Sequence, residues 1–435
     1  MNIGWVEFQQ ALWIVLAGSI CGAACAVLGC FLLLKRLSML TDGIAHGVLP
    51  GIGLAVLITG QLNGPGLFVG AVVFGLLTAA LTQAAVSFGG VSEDTGLGVA
   101  FTTLFSVGII LASTLLRHTD ADVDCVFSGN LASLPSQTFE VWGFDIPKAI
   151  PTLVFSLMLT LAVIGLFWKE WKLATFDSEL AAAMGFRPVL LHFVLVAMTA
   201  INSVASFEAV GSILVVPMFI VPAATARLLT DRLGAMVTLA AALAVSGATL
   251  GGVLSTLVWD RISPAGMIAT VLGVQFVVVW IVAPGHGLWA QASRRLKLWT
   301  RIAEEEVLGK LYRAPLRYAD LADTVREEHG IRTLGLAWVM RRLRNRRYIA
   351  SADGIWNVTD SGRTHAEEVV RAHRLWESYL DQNFELPLDH LHAPASLIEH
   401  YLGPEAIESL QSELAHPKRD PHGSDIPTKQ IRDIP

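Results

Sequence analysis

Leu40-Thr41-Asp42-Gly43-Ile44-Ala45-His46-Gly47-Val48-Leu49-Pro50-Gly51 puts a carboxylate and an imidazole four residues apart at the head of an apolar window over 43–61. About 20 apolar residues in a row can cross a hydrocarbon core as a helix. An ionisable group in such a segment is expensive enough to read as functional. Similar windows recur at 9–34, 65–89, 95–116, 146–168, 188–206, 210–229, 234–258 and 264–284. The expected fold is an all-α polytopic membrane protein with eight or nine transmembrane helices. The count depends on 210–229, where Pro217 and Pro222 suit a broken or re-entrant helix. The start Met1-Asn2-Ile3-Gly4-Trp5 has no basic n-region, so the first window is expected to be a retained span.

Of the 435 residues, 53% are hydrophobic and 16% charged, with a net charge of −6, against about 25% charged for ordinary soluble chains. The deficit is local. Residues 1–285 carry 10 Lys and Arg and 15 Asp and Glu, about 9% charged, whereas 286–435 carry 21 and 22, about 29%. This composition excludes a freely soluble enzyme. The cysteines (Cys21, Cys25, Cys30, Cys125) all belong to the apolar half, which excludes a disulfide-stapled secreted protein. Lys35 and Arg36, Lys169 and Lys172, Arg227 and Arg232, and Arg294, Arg295 and Lys297 follow spans one, five, seven and nine. The positive-inside rule then puts the N-terminus outside and the C-terminus inside. The acidic stretch Asp120-Ala121-Asp122-Val123-Asp124 becomes external.

The spacing of Asp42 and His46 stacks both on one helix face, and their chemistry suits a divalent first-row metal. A helix cap at Asp42 beside a hydrogen-bonded His46 is the competing reading. Glu208 is a second acid in an apolar segment, either a ligand or a group paired with a neighbouring helix. The segment from Phe176 through Asp177 and Glu179 to Gly185 is short and amphipathic, and Gly185 suits a helix C-cap.

Several motifs in order resemble the manganese/zinc/iron permease family of ABC importers. They are Leu40 to Gly51, Glu93-Asp94-Thr95-Gly96-Leu97-Gly98, Phe176 to Gly185, Glu208-Ala209-Val210-Gly211, and Pro222-Ala223-Ala224-Thr225-Ala226-Arg227. The resemblance covers nearly all of 1–285. It implies a permease paired with a second permease subunit, a separate cytoplasmic ABC ATPase, and an extracytoplasmic metal-binding protein. It also places Asp42 and His46 on the metal path and makes Phe176 to Gly185, with Phe176, Asp177, Glu179 and Gly185, the ATPase-coupling helix. No phosphate-cradling G-x-x-x-x-G-K-[ST] occurs in this chain, so ATP hydrolysis falls to a partner.

Past a linker at 286–300 the pattern changes to charged helices over 301–313, 318–328 and 333–347. Tyr348-Ile349-Ala350 and Ile355-Trp356-Asn357-Val358 flank the turn Ala352-Asp353-Gly354 as a hairpin would. Three helices and a β-wing make a winged helix-turn-helix over 301–364. Thr333 to Arg347 is then the recognition helix, with Trp338 and Met340 packed inward. Its Arg341, Arg342 and Arg344, with Arg346 and Arg347, suit DNA phosphates; a solvated or membrane-facing basic helix is the alternative. Seven of the twelve histidines fall between 365 and 422. His373 and Glu377 are i, i+4, and Glu399-His400 follows His392 by seven residues. Imidazole and carboxylate without thiolate favour manganese or ferrous iron, and zinc also binds such sites.

Val358-Thr359-Asp360-Ser361-Gly362-Arg363, Ala372 to Glu377, His392 to His400, and Asp420-Pro421-His422-Gly423-Ser424-Asp425-Ile426-Pro427 resemble the diphtheria-toxin-repressor-like and manganese-repressor-like metalloregulators. That resemblance implies a helical metal-binding and dimerisation domain over 365–427, followed by a tail at 428–435. It implies regulatory metal ligands at Glu306, His373, Glu377, His392, Glu399 and His400. Where relatives carry Cys or Glu four residues after His392, this chain has Ser396, a poor ligand.

The expected protein is a permease subunit of an inner-membrane importer for manganese, iron or zinc, fused to a cytoplasmic metal-responsive domain. That domain acts either as a tethered sensor or, after proteolysis near 286–300, on promoter DNA. The competing reading is a membrane-bound metal sensor that transports nothing. An intramembrane metalloprotease lacks its H-E-x-x-H here.

Overall fold

The computed structural model describes residues 5–59, 65–115, 131, 134, 138–141, 144–258, 262–329, 333–384 and 403–427. These form two compact units, Met1–Ala290 and Gln291–Pro435.

The first unit is a helical bundle of α1 (Trp5–Leu34), α2 (Ser38–Gly47), α3 (Leu49–Thr59), α4 (Pro65–Gly89), α5 (Glu93–Leu115), α6 (Ala149–Leu166), α7 (Trp168–Phe176), α8 (Ser178–Ala183), α9 (Pro188–Val210), α10 (Ser212–Leu229), α11 (Leu233–Val253) and α12 (Pro264–Val282). One hairpin, β1 (Thr138–Val141) with β2 (Phe144–Pro147), precedes α6. Only its last two residues, Ile146 and Pro147, reach the 146–168 window, and it was not anticipated from the sequence.

Among the described residues, eight segments are long and apolar enough to cross a membrane, and Leu214–Leu229 in α10 is a shorter apolar stretch. The nine windows thus map onto these eight segments and α10, which at 18 residues is as long as α6. What sets α10 apart is its surroundings. Leu214, Val215, Met218, Phe219, Ala223 and Ala226 are completely buried, because α10 packs against α1, α9, α11 and α12. Pro217 and Pro222 lie inside this helix, and prolines are tolerated at membrane depth where neighbouring protein surrounds the backbone. Span two is also divided: α2 ends at Gly47 and α3 begins at Leu49, with Pro50 in the first turn of α3, where a missing N–H is harmless.

Polar residues tie α6 to α9. Asn202 donates to the Thr160 hydroxyl and the Met198 carbonyl, both at 2.9 Å, and accepts from Ser156 at 2.8 Å. Asn202→Ala strands both hydroxyls, so the expected destabilisation is about 1 kcal/mol, read as a lower Tm of the purified protein in detergent.

The second unit takes up most of α13 (Leu288–Arg313), followed by β3 (Leu316–Arg317), α14 (Tyr318–His329), α15 (Thr333–Asn345), β4 (Ile349–Ala352), β5 (Ile355–Val358), α16 (Asp360–Asn383) and α17 (Pro404–Glu413). The helix expected at 301–313 thus begins at Leu288. The wing has three strands in the order β3, β5, β4. Asp353 and Gly354, at φ 54° and 76°, supply the paired positive φ values of a tight hairpin turn. Val307, Leu308, Leu311, Leu321, Val325, Leu336, Val339, Met340 and Leu343 form the core beneath it. Met340 packs inward as expected, but Trp338 does not: it is 45% exposed. Positions 336, 339, 340 and 343 make one buried helical face, and 338 falls outside it.

Candidate functional site

α2 starts at Ser38, and its cap position is Leu37, with no side-chain cap hydrogen bond. Asp42 therefore stands in the second turn, and the cap reading fails. Its Oδ1 lies 3.4 Å from His46 Nε2, and both side chains are partly exposed. The imidazole rests against α5, with its ring 5.2 Å from that of Phe105 in an edge contact and 6.4 Å from that of Phe101. Among the described residues, His46 Nδ1 is buried without a hydrogen-bond partner. The motif glycines explain how the helices come so close. A Cβ at Gly43 would lie 2.7 Å from Leu97, at Gly47 2.5 Å from Thr78 Oγ1, and at Gly51 2.3 Å from the Gly70 carbonyl. The small residues bring α2 and α3 directly onto α4 and α5, leaving the acid and imidazole side by side on the adjoining face. Glu208 is in the last turn of α9, just before Gly211 at φ 76° separates α9 from α10.

The Phe176-to-Gly185 segment, expected to be one helix, is divided: Phe176 ends α7, Asp177 is extended, and α8 runs only Ser178–Ala183. Asp177 caps α8 by accepting the Leu180 amide at 2.8 Å. At the other end, Gly185 at φ 87° closes the helix while the Gly185 and Phe186 amides bond to the Ala182 and Ala181 carbonyls, both at 3.0 Å. That pairing is the glycine-dependent helix stop. Phe176, Leu180 and Met184 are exposed and recur every four residues, with Glu179 exposed beside them. In the loop after α10, Arg227 pairs with Asp231, and that hydrogen bond holds the carboxyl below its usual range.

In the second unit, His373 Nε2 meets Glu377 Oε1 at 3.1 Å, one turn apart on α16, and the two residues are only 5% and 2% exposed. His422 Nε2 approaches the same oxygen at 4.0 Å from a turn after α17. That turn is built by Gly423 at φ 83° and by Asp420, which accepts the Ser424 amide at 2.8 Å and pairs with Arg374 at 3.3 Å. His422 was within a quoted motif but not singled out; Asp-Pro-His-Gly, a turn signature, was the available signal. Glu306 is half-buried on α13. His392, Glu399 and His400 lie outside the described residues. Among the described residues no three His, Cys, Asp or Glu side chains form a complete cation site.

The recognition helix is less open than its sequence implies. Arg341 and Arg344 are exposed. Arg342 Nε reaches Glu304 Oε1 at 2.6 Å, Arg346 Nη1 reaches Glu304 Oε2 at 3.0 Å, and the Arg342 guanidinium lies 5.3 Å over the Trp338 ring. Nearby, burial and the neighbouring Glu367 raise the Tyr312 phenol above its ordinary pKa.

A bundle of apolar helices with an acid–imidazole pair in span two, joined to a winged helix, defines a membrane permease fused to a regulator-like domain. The chain belongs to the ABC 3 transport family, whose profile matches residues 7–283. Residues 359–428 match the iron dependent repressor metal binding and dimerisation domain. The manganese transport system membrane protein MntD of Bacillus subtilis is 40% identical over 287 residues, 66% of this chain and 96% of that one. MntC of the same organism, also described as a manganese transport system membrane protein, is 31% identical over 393 residues, 88% of this chain and 87% of its own length. The alignment therefore continues beyond the permease unit. The zinc transport system membrane protein TroD of Treponema pallidum is 34% identical over 66% of this chain and 78% of its own. Among solved structures, PsaBC from Streptococcus pneumoniae in complex with Fab matches with TM-score 0.55 at 27% identity, covering 67% of this chain and 95% of that one.

Proposed function

We infer that this chain is the permease subunit of an ABC importer for a divalent first-row metal, manganese, iron or zinc, carrying a fused metal-responsive domain. The Asp42–His46 pair carries the reading: an oxygen and a nitrogen donor one turn apart on a divided helix, in a chain of the ABC 3 transport family. One hard and one borderline donor bind such a cation without trapping it. The relatives described as manganese and zinc transport proteins support the same substrate class. The N-terminus is outside and the C-terminal domain cytoplasmic, with α10 as the ninth crossing. The exposed Phe176–Leu180–Met184 edge docks on a separate ABC ATPase, and an extracytoplasmic protein delivers the metal. Deleting the ATPase partner abolishes uptake of radioactive metal by starved cells if this is a permease. Undiminished uptake in the deletion would move the non-transporting sensor reading ahead.

The regulatory metal is held by His373, Glu377 and His422, with Glu306, His392, Glu399 and His400 completing the ligand set. A buried imidazole–carboxylate pair with a second imidazole at its mouth supplies the donor types a divalent first-row cation takes. The Glu304 grip on Arg342 and Arg346 favours a tethered sensor over a DNA-binding factor, leaving Arg341, Arg344 and Arg347 as the cluster's arginines open to promoter DNA. The double change His373→Ala, Glu377→Ala weakens metal binding to the full chain by at least about 10-fold, in line with ligand-shell changes elsewhere, as measured by calorimetry. It also leaves import running at high metal. A C-terminal immunoblot shows only full-length chain in every metal condition; a shorter fragment would instead favour release.

A further inference from the structure

The first half of α13 has an uncovered face. Trp289, Ala292, Leu296 and Trp299 recur at i, i+3, i+7 and i+10, so they line one side of the helix, with Leu288 at its edge. All five are exposed, Trp289 at 76% and Leu296 at 61%. The opposite side carries Arg294 and Lys297, followed one turn on by Arg301, which pairs with Glu305 at 2.8 Å. From Thr300 onward the apolar face continues through Ala303 and Val307, where the winged-helix core buries it. The stripe therefore runs off the end of the domain that covers it. Only five residues separate its start at Leu288 from Val282, the last residue of a candidate membrane span.

We propose that residues 288–299 lie in the plane of the membrane surface, with the Trp289–Trp299 stripe sunk among the lipids and the cations of α13 engaging anionic headgroups. The partner is a lipid surface because the features combine. Tryptophan rings favour the level where hydrocarbon meets headgroup, an apolar face backed by Lys and Arg is the pattern of interfacial helices, and a chain leaving a span is already at that surface. Arg295, near the edge of the stripe, can lay its stem along the apolar face and keep its charge in the headgroups.

The test uses the full chain in nanodiscs, with a bimane fluorophore on a cysteine introduced at Ala292→Cys, in the stripe, or Lys297→Cys, opposite it. A Cys125→Ser background is used, since Cys21, Cys25 and Cys30 are buried. In phosphatidylglycerol discs containing brominated lipid, the probe at 292 is expected to be quenched at least threefold more than the probe at 297. Trp289→Glu with Leu296→Glu is expected to remove that contrast. In phosphatidylcholine discs the contrast is expected to shrink. Equal quenching at both positions, or a contrast of the same size in both lipids, overturns the proposal. The readout needs only membrane insertion, so its failure is separable from any failure of metal transport.

Discussion

Replacing Asp42 and His46 together by alanine is expected to lower metal uptake by starved cells about 10-fold or more at matched protein levels, since changes even to outer partners of a metal cost 10–100-fold. The pair lies on the metal path by our reading. Alanine preserves α2 because it is the best helix former. Neither side chain caps the helix, and the polar contact they make is with each other. What packing is lost is the contact of His46 with the Phe105 and Phe101 rings, worth about 0.5–1.5 kcal/mol for each such ring pair. A transport defect therefore separates from a folding defect. Uptake of manganese, iron and zinc left unchanged by the double substitution would make the pair structural. Loss for one metal alone would name the substrate.

Gly29→Ala is expected to cut the yield of folded protein severalfold although Gly29 is remote in sequence from both motifs. A Cβ there would lie 1.8 Å from the Phe219 carbonyl oxygen and 2.8 Å from its carbon. The obstacle is backbone, not a side-chain end that swings away, and Phe219 itself is completely buried at the centre of α10. Helices in membranes gain association through such close approach of small residues, and forcing in a methyl group typically costs about 1–3 kcal/mol or more. Gly98→Ala is the control, because a Cβ at that helical position meets nothing within 4 Å. Fluorescence-detected size-exclusion chromatography compares the two. Equal monodisperse peaks would show that α1 and α10 part without penalty.

Much of this protein is written in local spacing. Apolar windows mark the spans because a hydrocarbon core admits few charges. Asp42 with His46 and His373 with Glu377 meet because i and i+4 are neighbours on any helix. Asp353-Gly354 and Gly185 announce their turns because few residues adopt positive φ cheaply. The division of the chain into an apolar and a charged half, and the order of helices and wing in the second, follow from the same short-range rules.

What only the tertiary structure decided involves residues far apart in the chain. Whether an apolar helix meets lipid or protein depends on its neighbours, so the 210–229 window became the enclosed α10. Trp338 turned outward because the winged-helix core selected the adjoining face of α15. Arg342 and Arg346 read as free cations until Glu304, on another helix, took both. His422 reached Glu377 across α17 and a glycine turn. The uncovered stripe on α13 exists only because the domain core stops at Thr300. Sequence spacing reports which residues share a face; which faces then meet depends on contacts between distant segments, and no local pattern encodes those.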